Sequence, residues 1–265
     1  MCRLLAYLGP TIQLDRLLCQ PEHSLIVQSY KPREMQEAIL NADGFGIGWY
    51  HPQRETEPFT YKSIQPIWSD VNLPQLARYI ESNGILGYVR SATPGQAVDL
   101  SNCQPFSYQN LLFTHNGYID NFRKSLYRPI RSRLEDAAYE TIKGSTDSEH
   151  IFGLFIDELR KDSSRGLKTT LEATLKILTE LATPDEVKIL GNTIVTDGHQ
   201  LIASRFASYA PPPSLYWLKD DPNFPSSVII ASEPLFEGDW NSCPEQSIIT
   251  VAENLDVDIN ELKTT

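Results

Sequence analysis

Short runs with a strand-like apolar pattern occupy both ends of this 265-residue chain, and two segments of helical periodicity lie between them. This order restricts the architecture more than any other feature. In the first half, Arg3 to Leu8, Phe45 to Tyr50, Phe59 to Ile64, Ile85 to Arg90 and Leu111 to Thr114 are strand-like runs bounded by turn residues. In the middle, Thr146 and Glu149 have capping-box spacing and open a segment whose Ile151, Leu154, Phe155 and Leu159 share one face. Leu167, Leu171, Leu175 and Leu178 define a second helix, stopped at Ala182-Thr183-Pro184. Strand-like runs then return. Thr193 to Thr196 and Gln200 to Ser204 flank the hairpin signal Asp197-Gly198, and Ser214 to Leu218, Val228 to Ala231 and Ser247 to Val251 follow. Segregated strands and helices predict an α+β layered domain, with helices packed on antiparallel sheets, rather than a βαβ alternation.

The length suits one large domain or two small ones. Pro211-Pro212-Pro213 is too short to act as a linker, so the simplest reading is a single domain over 1–265. Asp43-Gly44-Phe45-Gly46-Ile47-Gly48-Trp49 superficially resembles a phosphate loop, yet it lacks GxGxxG spacing and runs into Tyr50-His51-Pro52, which does not open a helix. A strand whose glycines admit another backbone or a ligand is the better expectation.

Lys and Arg total 23 against 34 Asp and Glu, a formal charge of −11. That argues against nucleic acid and anionic membrane as partners, since both require concentrated positive charge. No run approaches the ~18 apolar residues of a transmembrane helix. The opening segment, broken by Pro10, is too short for a secretory signal, and the expected location is the cytoplasm. Cys2, Cys19, Cys103 and Cys243 have neither zinc-ligand nor disulfide-framework spacing, so no metal and no cofactor are expected. Cys19, Cys103 and Cys243 read as small buried hydrophobes.

Cys2 differs because removal of Met1 would leave it at the N-terminus. One residue would then supply a thiol nucleophile and an α-amine of pKa about 7.7–8.0 as its base. From position alone it also reads as the second residue of an edge strand. Asn116 and Gly117 follow the strand-like Leu111 to His115, where a turn would offer the Asn amide and the Gly N–H to an oxyanion; the same dipeptide is a common hairpin turn. Arg90 closes an apolar run and has the planar fork that grips carboxylates. Asp147 suits an ammonium partner or simply the first turn of a helix. Together they fit a substrate with an α-amino acid head and a reactive amide one side chain away, which describes a γ-glutamyl amide.

Cys2, Arg90-Ser91-Ala92-Thr93, His115-Asn116-Gly117 and Thr146-Asp147-Ser148-Glu149 occur in the order found in class II glutamine amidotransferases, which the chain resembles. These are the N-terminal-nucleophile (Ntn) hydrolases that begin with cysteine. Met1-Cys2-Arg3, the Asn41 to Trp49 segment, Asn102-Cys103-Gln104-Pro105-Phe106 and Ala231-Ser232-Glu233-Pro234-Leu235 look like the stand-alone subgroup. That subgroup includes the YafJ type, the ergothioneine-biosynthesis γ-glutamyl hydrolase and a glutathione-degrading peptidase subunit.

The resemblance implies a four-layer αββα sandwich, two antiparallel sheets between helix layers. It implies attack by Cys2 on the γ-carbonyl, an oxyanion held by Asn116 and the Gly117 N–H, and a thioester hydrolysed to glutamate. Arg90 and Thr93 would bind the α-carboxylate and Asp147 the α-ammonium. Pro94-Gly95 stands where synthase-coupled relatives often have His, and the chain has no room for an acceptor domain, which favours a free-standing hydrolase of glutamine or of a γ-glutamyl thiol compound. A homo-oligomer and a separate synthase or peptidase subunit remain open as partners. The competing readings are a non-glutamyl N-terminal-cysteine amidase and a catalytically silent subunit of a larger complex. Tyr7, Trp49, Phe106 and Trp240 read as core aromatics, with a leaving-group pocket as the alternative.

Overall fold

The computed structural model describes residues 1–34, 40–51, 53, 55–93, 95–162, 164–209 and 211–263. β1 (Arg3–Gln13) leads into the short helices α1 (Leu14–Leu18) and α2 (Leu25–Tyr30), followed by β2 (Phe45–His51), β3 (Glu55–Ser63), α3 (Leu73–Tyr79) and β4 (Glu81–Val89). β5 (Phe106–Tyr108) and β6 (Leu111–Ile119) precede α4 (Tyr127–Arg131), α5 (Asp136–Tyr139), α6 (Asp147–Lys161) and α7 (Leu167–Ala182). The chain continues through β7 (Ile189–Thr196), β8 (Leu201–Ala207), β9 (Tyr216–Asp221), β10 (Phe224–Ala231), β11 (Asn241–Ser242), β12 (Ser247–Val251) and β13 (Val257–Glu261).

Among the described residues these strands form two antiparallel sheets, ordered β11-β9-β10-β1-β4-β2-β3 and β13-β12-β8-β7-β6-β5. Period-two alternation sorts their side chains into layers. Leu4, Ala6 and Leu8 of β1 join Leu86 and Tyr88 of β4, Leu112 of β6 and Ile194 of β7 in a core between the sheets. Leu5 and Tyr7 point the other way, onto Leu17, Leu25 and Leu73 of the first helix layer. On the far face of the second sheet, Phe113 and Val195 pack against Ile151, Phe155, Leu171 and Leu178 of α6 and α7. The expected αββα sandwich is the observed one.

Several local expectations hold. Asp197-Gly198 turns β7 into β8, with Gly198 at φ +87°, and the glycine-rich run is β2. At Gly46 a Cβ would collide with the backbone oxygen of Gln104, so the glycine does admit another chain segment. Others do not hold. α1 to α5 escape sequence periodicity because each has only four to seven residues, about one or two turns. β1 is not an edge strand: β10 and β4 flank it. Asn116-Gly117 is not a turn either, because β6 runs through both residues, pairing Asn116 with Asn192 and Gly117 with Gly191. Gly117 is required there, since a Cβ would strike the backbone at Leu190. Cys103 and Cys243 are buried as expected, whereas Cys19 is half-buried.

Candidate active site

Register brings the candidate residues to one end of the sandwich. Arg3 pairs with Val89, so Cys2, just ahead of β1, lies beside Arg90, just beyond β4. Leu112 and Asn116 have the same parity in β6, which turns Asn116 toward the inter-sheet core that Cys2 and Leu112 share. Cys2 is buried; its Sγ accepts from the Ser91 N–H at 3.4 Å and approaches the Ser91 carbonyl oxygen at 3.5 Å. The Tyr88 phenol faces this thiol, and burial followed by the neighbouring Cys2 pushes its pKa well above 10, so it remains a neutral hydroxyl.

A cavity of about 680 Å³ opens at this end, and Cys2, Thr93, Gly117 and Asp147 line it together with Ser91, Gly95 and Tyr118. Asp147 begins α6, whose N-cap Thr146 accepts the Glu149 N–H through its hydroxyl at 3.2 Å. One carboxylate oxygen of Asp147 accepts the Ile119 N–H and the other the Ser148 N–H, both at 2.8 Å, tying the start of α6 to the end of β6. Of the expected capping box only the Thr146 half forms in this way, because the Glu149 carboxylate reaches back to the Lys143 and Gly144 N–H groups at 2.7 and 2.6 Å.

Arg90 and Asn116 are buried at the same end but do not line the cavity. The Arg90 guanidinium donates to the Ala97 and Asp43 carbonyls at 3.2 and 3.5 Å and to Gln96 Oε1 at 3.2 Å. Asn116 is fully enclosed, and neither atom of its side-chain amide has a hydrogen-bond partner. An orphaned buried amide is costly, on the order of 1–3 kcal/mol, and its retention calls for a functional reason. Gln104 fixes the strand just before it: its amide accepts the His115 N–H at 2.6 Å and donates to the His115 carbonyl at 3.1 Å. His115 Nδ1 meets Ser148 Oγ at 2.9 Å, and burial lowers its pKa, favouring the neutral ring.

Pro94 lies outside the described residues, while Gly95 adopts φ +87° at the cavity wall. The aromatic residues lining the cavity are Tyr118 and Phe122. Tyr7 and Phe106 are core residues, and Trp49 and Trp240 line other clefts. Among the described residues no group of three or more His, Cys, Asp or Glu side chains is placed to hold a metal ion, and no helix is long and apolar enough to cross a membrane. Arg3 bonds the Cys2 carbonyl and is linked through Glu233 to His23. Arg3 and Glu233 lie in the motifs Met1-Cys2-Arg3 and Ala231 to Leu235, yet nothing in either motif assigns them a role.

The αββα sandwich with a cysteine at the head of a central strand is the Ntn-type fold. Residues 1–210 match the family described as "Glutamine amidotransferases class-II", and the chain belongs to that family. "Probable glutamine amidotransferase DUG3" of Saccharomyces cerevisiae is 33% identical, over 95% of this chain and 82% of that protein. A "Gamma-glutamyl-hercynylcysteine sulfoxide hydrolase" of Mycobacterium tuberculosis is 37% identical, over 96% of this chain and 94% of its own length. A glutamine aminotransferase class-II domain protein from Silicibacter pomeroyi has the same fold, with a TM-score of 0.71 at 23% identity over 98% of this chain and 99% of that one.

Proposed function

We propose that this chain, read as one domain over 1–265, hydrolyses a γ-glutamyl amide through a thioester on Cys2 and releases glutamate. The carrying observation is the joint placement of Cys2, Thr93, Gly117 and Asp147 around one cavity, with the unpartnered Asn116 amide beside Gly117. Removal of Met1 frees the Cys2 α-amine, which takes the thiol proton as sulfur attacks the γ-carbonyl carbon. The developing oxyanion accepts from the Asn116 amide and the Gly117 N–H. Collapse breaks the C–N bond, and the α-ammonium returns its proton to the leaving amine. Water then attacks the thioester, giving its proton to the α-amine and from there to the departing sulfur.

The glutamyl head is held by charge. Asp147 pairs with the α-ammonium, and Thr93 and Arg90 receive the α-carboxylate, which displaces the Gln96 amide oxygen from the guanidinium. The cavity, about 680 Å³, has room beyond a bound glutamine for a larger leaving group. Its size and the hydrolase named among the relatives favour a γ-glutamyl thiol compound, such as an ergothioneine precursor or glutathione, over ammonia supply. The free thiols of Cys2, Cys19, Cys103 and Cys243 support a cytosolic setting.

The test is glutamate release from glutamine, glutathione and other γ-glutamyl compounds, with Cys2→Ala in parallel and intact mass reporting loss of Met1. Cys2-dependent release, fastest with the larger amides, is expected. No release from a chain shown to begin at Cys2 would sink the assignment.

A further inference from the structure

Arg3 immediately follows the proposed nucleophile and opens β1. Its side chain is fully enclosed, and it divides its donors between two acceptors: Nε donates to the Cys2 carbonyl oxygen at 2.7 Å, and Nη1 to Glu233 Oε1 at 2.9 Å. Glu233 is itself pinned. It also accepts from His23 Nε2 at 2.7 Å and from the Arg33 and Glu34 backbone N–H groups at 2.8 and 3.1 Å. Gln28 ties the carbonyls of His23 and Glu233 together, and Ser232 brackets Leu4 through its hydroxyl and its N–H, both at 3.0 Å. Burial raises the Glu233 pKa, but His23, the backbone donors and Arg3 outweigh it and hold the carboxyl below its ordinary value, so Glu233 is a carboxylate at neutral pH.

Stability alone does not call for this arrangement, because apolar pairs of similar volume often serve as well as a buried ion pair. An apolar pair cannot supply the contact to Cys2. A residue at the start of a chain has no preceding peptide to anchor it, so the direction of its α-amine depends on rotation about its own Cα–C bond and on what grips its carbonyl. Here Arg3 grips that carbonyl.

We propose that Arg3, braced by Glu233 and His23, is a positioning residue for the nucleophile: by holding the Cys2 carbonyl it fixes rotation about the Cα–C bond, so that the α-amine and thiol, which turn together about that bond, keep their aim at the reacting carbonyl and the oxyanion donors. This rests on the reading of Cys2 as nucleophile. Arg3→Lys separates positioning from charge: an ammonium can pair with Glu233 but cannot span both acceptors. The variant should fold and lose Met1, keep its KM, and lose about 10- to 100-fold in kcat, with the pre-steady-state acylation rate falling in step. Glu233→Gln, nearly isosteric, should lower kcat less and also leave KM unchanged, because its amide turns an N–H toward groups that are themselves donors. It carries the same criterion should Arg3→Lys not fold.

A structural role alone would move the melting temperature and leave kcat as in the parent. That result in folded, Met1-free variants would overturn the positioning role while Cys2→Ala still abolished turnover. Turnover surviving Cys2→Ala would overturn the nucleophile reading, and the positioning role with it.

Discussion

Asn116 illustrates how much of the site one residue can carry. Its amide is enclosed and unpartnered, and in the proposed reaction it would meet an acceptor that arrives only with the reacting carbonyl. Asn116→Ala is expected to lower kcat by roughly 10²–10³ with little change in KM, since the interaction forms chiefly in the transition state. A matching rise in KM with kcat intact would assign it to substrate binding instead. Cys2, Thr93, Gly117 and Asp147 were legible as candidates because each sits in a short local motif, and the structure brings them to one cavity. Arg3, His23 and Glu233 were not, because the partners are 230 and 210 positions apart and no local pattern announces such a pairing. Tyr88 looked like one more apolar strand residue until register turned it toward Cys2.

Helix α6 shows what an element contributes. Its N-terminus positions Asp147, and one turn on, His150 is fully buried against the Phe122 and Tyr127 rings. The ring's Nδ1 donates to the Thr146 carbonyl at 2.7 Å, and its Nε2 accepts from Arg131 Nε at 2.8 Å. Burial lowers the His150 pKa from 6.5 to about 4, the Thr146 carbonyl opposes this, and Arg131 adds to the lowering. Protonation would set two N–H groups against each other. Between pH 6.5 and about 4 the unfolded chain therefore binds the proton that the folded chain refuses, and this group's contribution to stability falls as pH falls through that window. Urea midpoints across it should decline, and His150→Gln should flatten part of that decline; an unchanged slope would remove His150 as a cause. The buried ring of His115, lowered in the same direction, adds with the same sign. The helix itself was legible from Thr146 and its apolar face, whereas the Glu149 carboxylate's grip on Lys143 and Gly144 depends on how the preceding loop folds back.

At the scale of the molecule, the site sits at one end of the core between the sheets, and that core fixes the spacing of its two halves. Leu112 of β6 is fully buried there, on the face that carries Asn116. Leu112→Ala is expected to cost about 2–5 kcal/mol in chemical denaturation. It should also reduce turnover at temperatures where the protein remains folded, because the sheet bearing Asn116 loses a contact that sets its distance from β1. A stability loss with kcat intact would show that the core supports the site only by keeping the chain folded. Periodicity, turn residues and a cysteine at position 2 are features of a few neighbouring residues, so the segregated α+β layering, the long helices, the β7–β8 turn and the candidacy of Cys2 are legible in the sequence. The central place of β1, the continuation of β6 through Asn116-Gly117 and the Arg3 bridge from the Cys2 carbonyl to Glu233 are set instead by the fold. Those outcomes depend on strand order and register, which are settled by contacts between residues far apart in the chain.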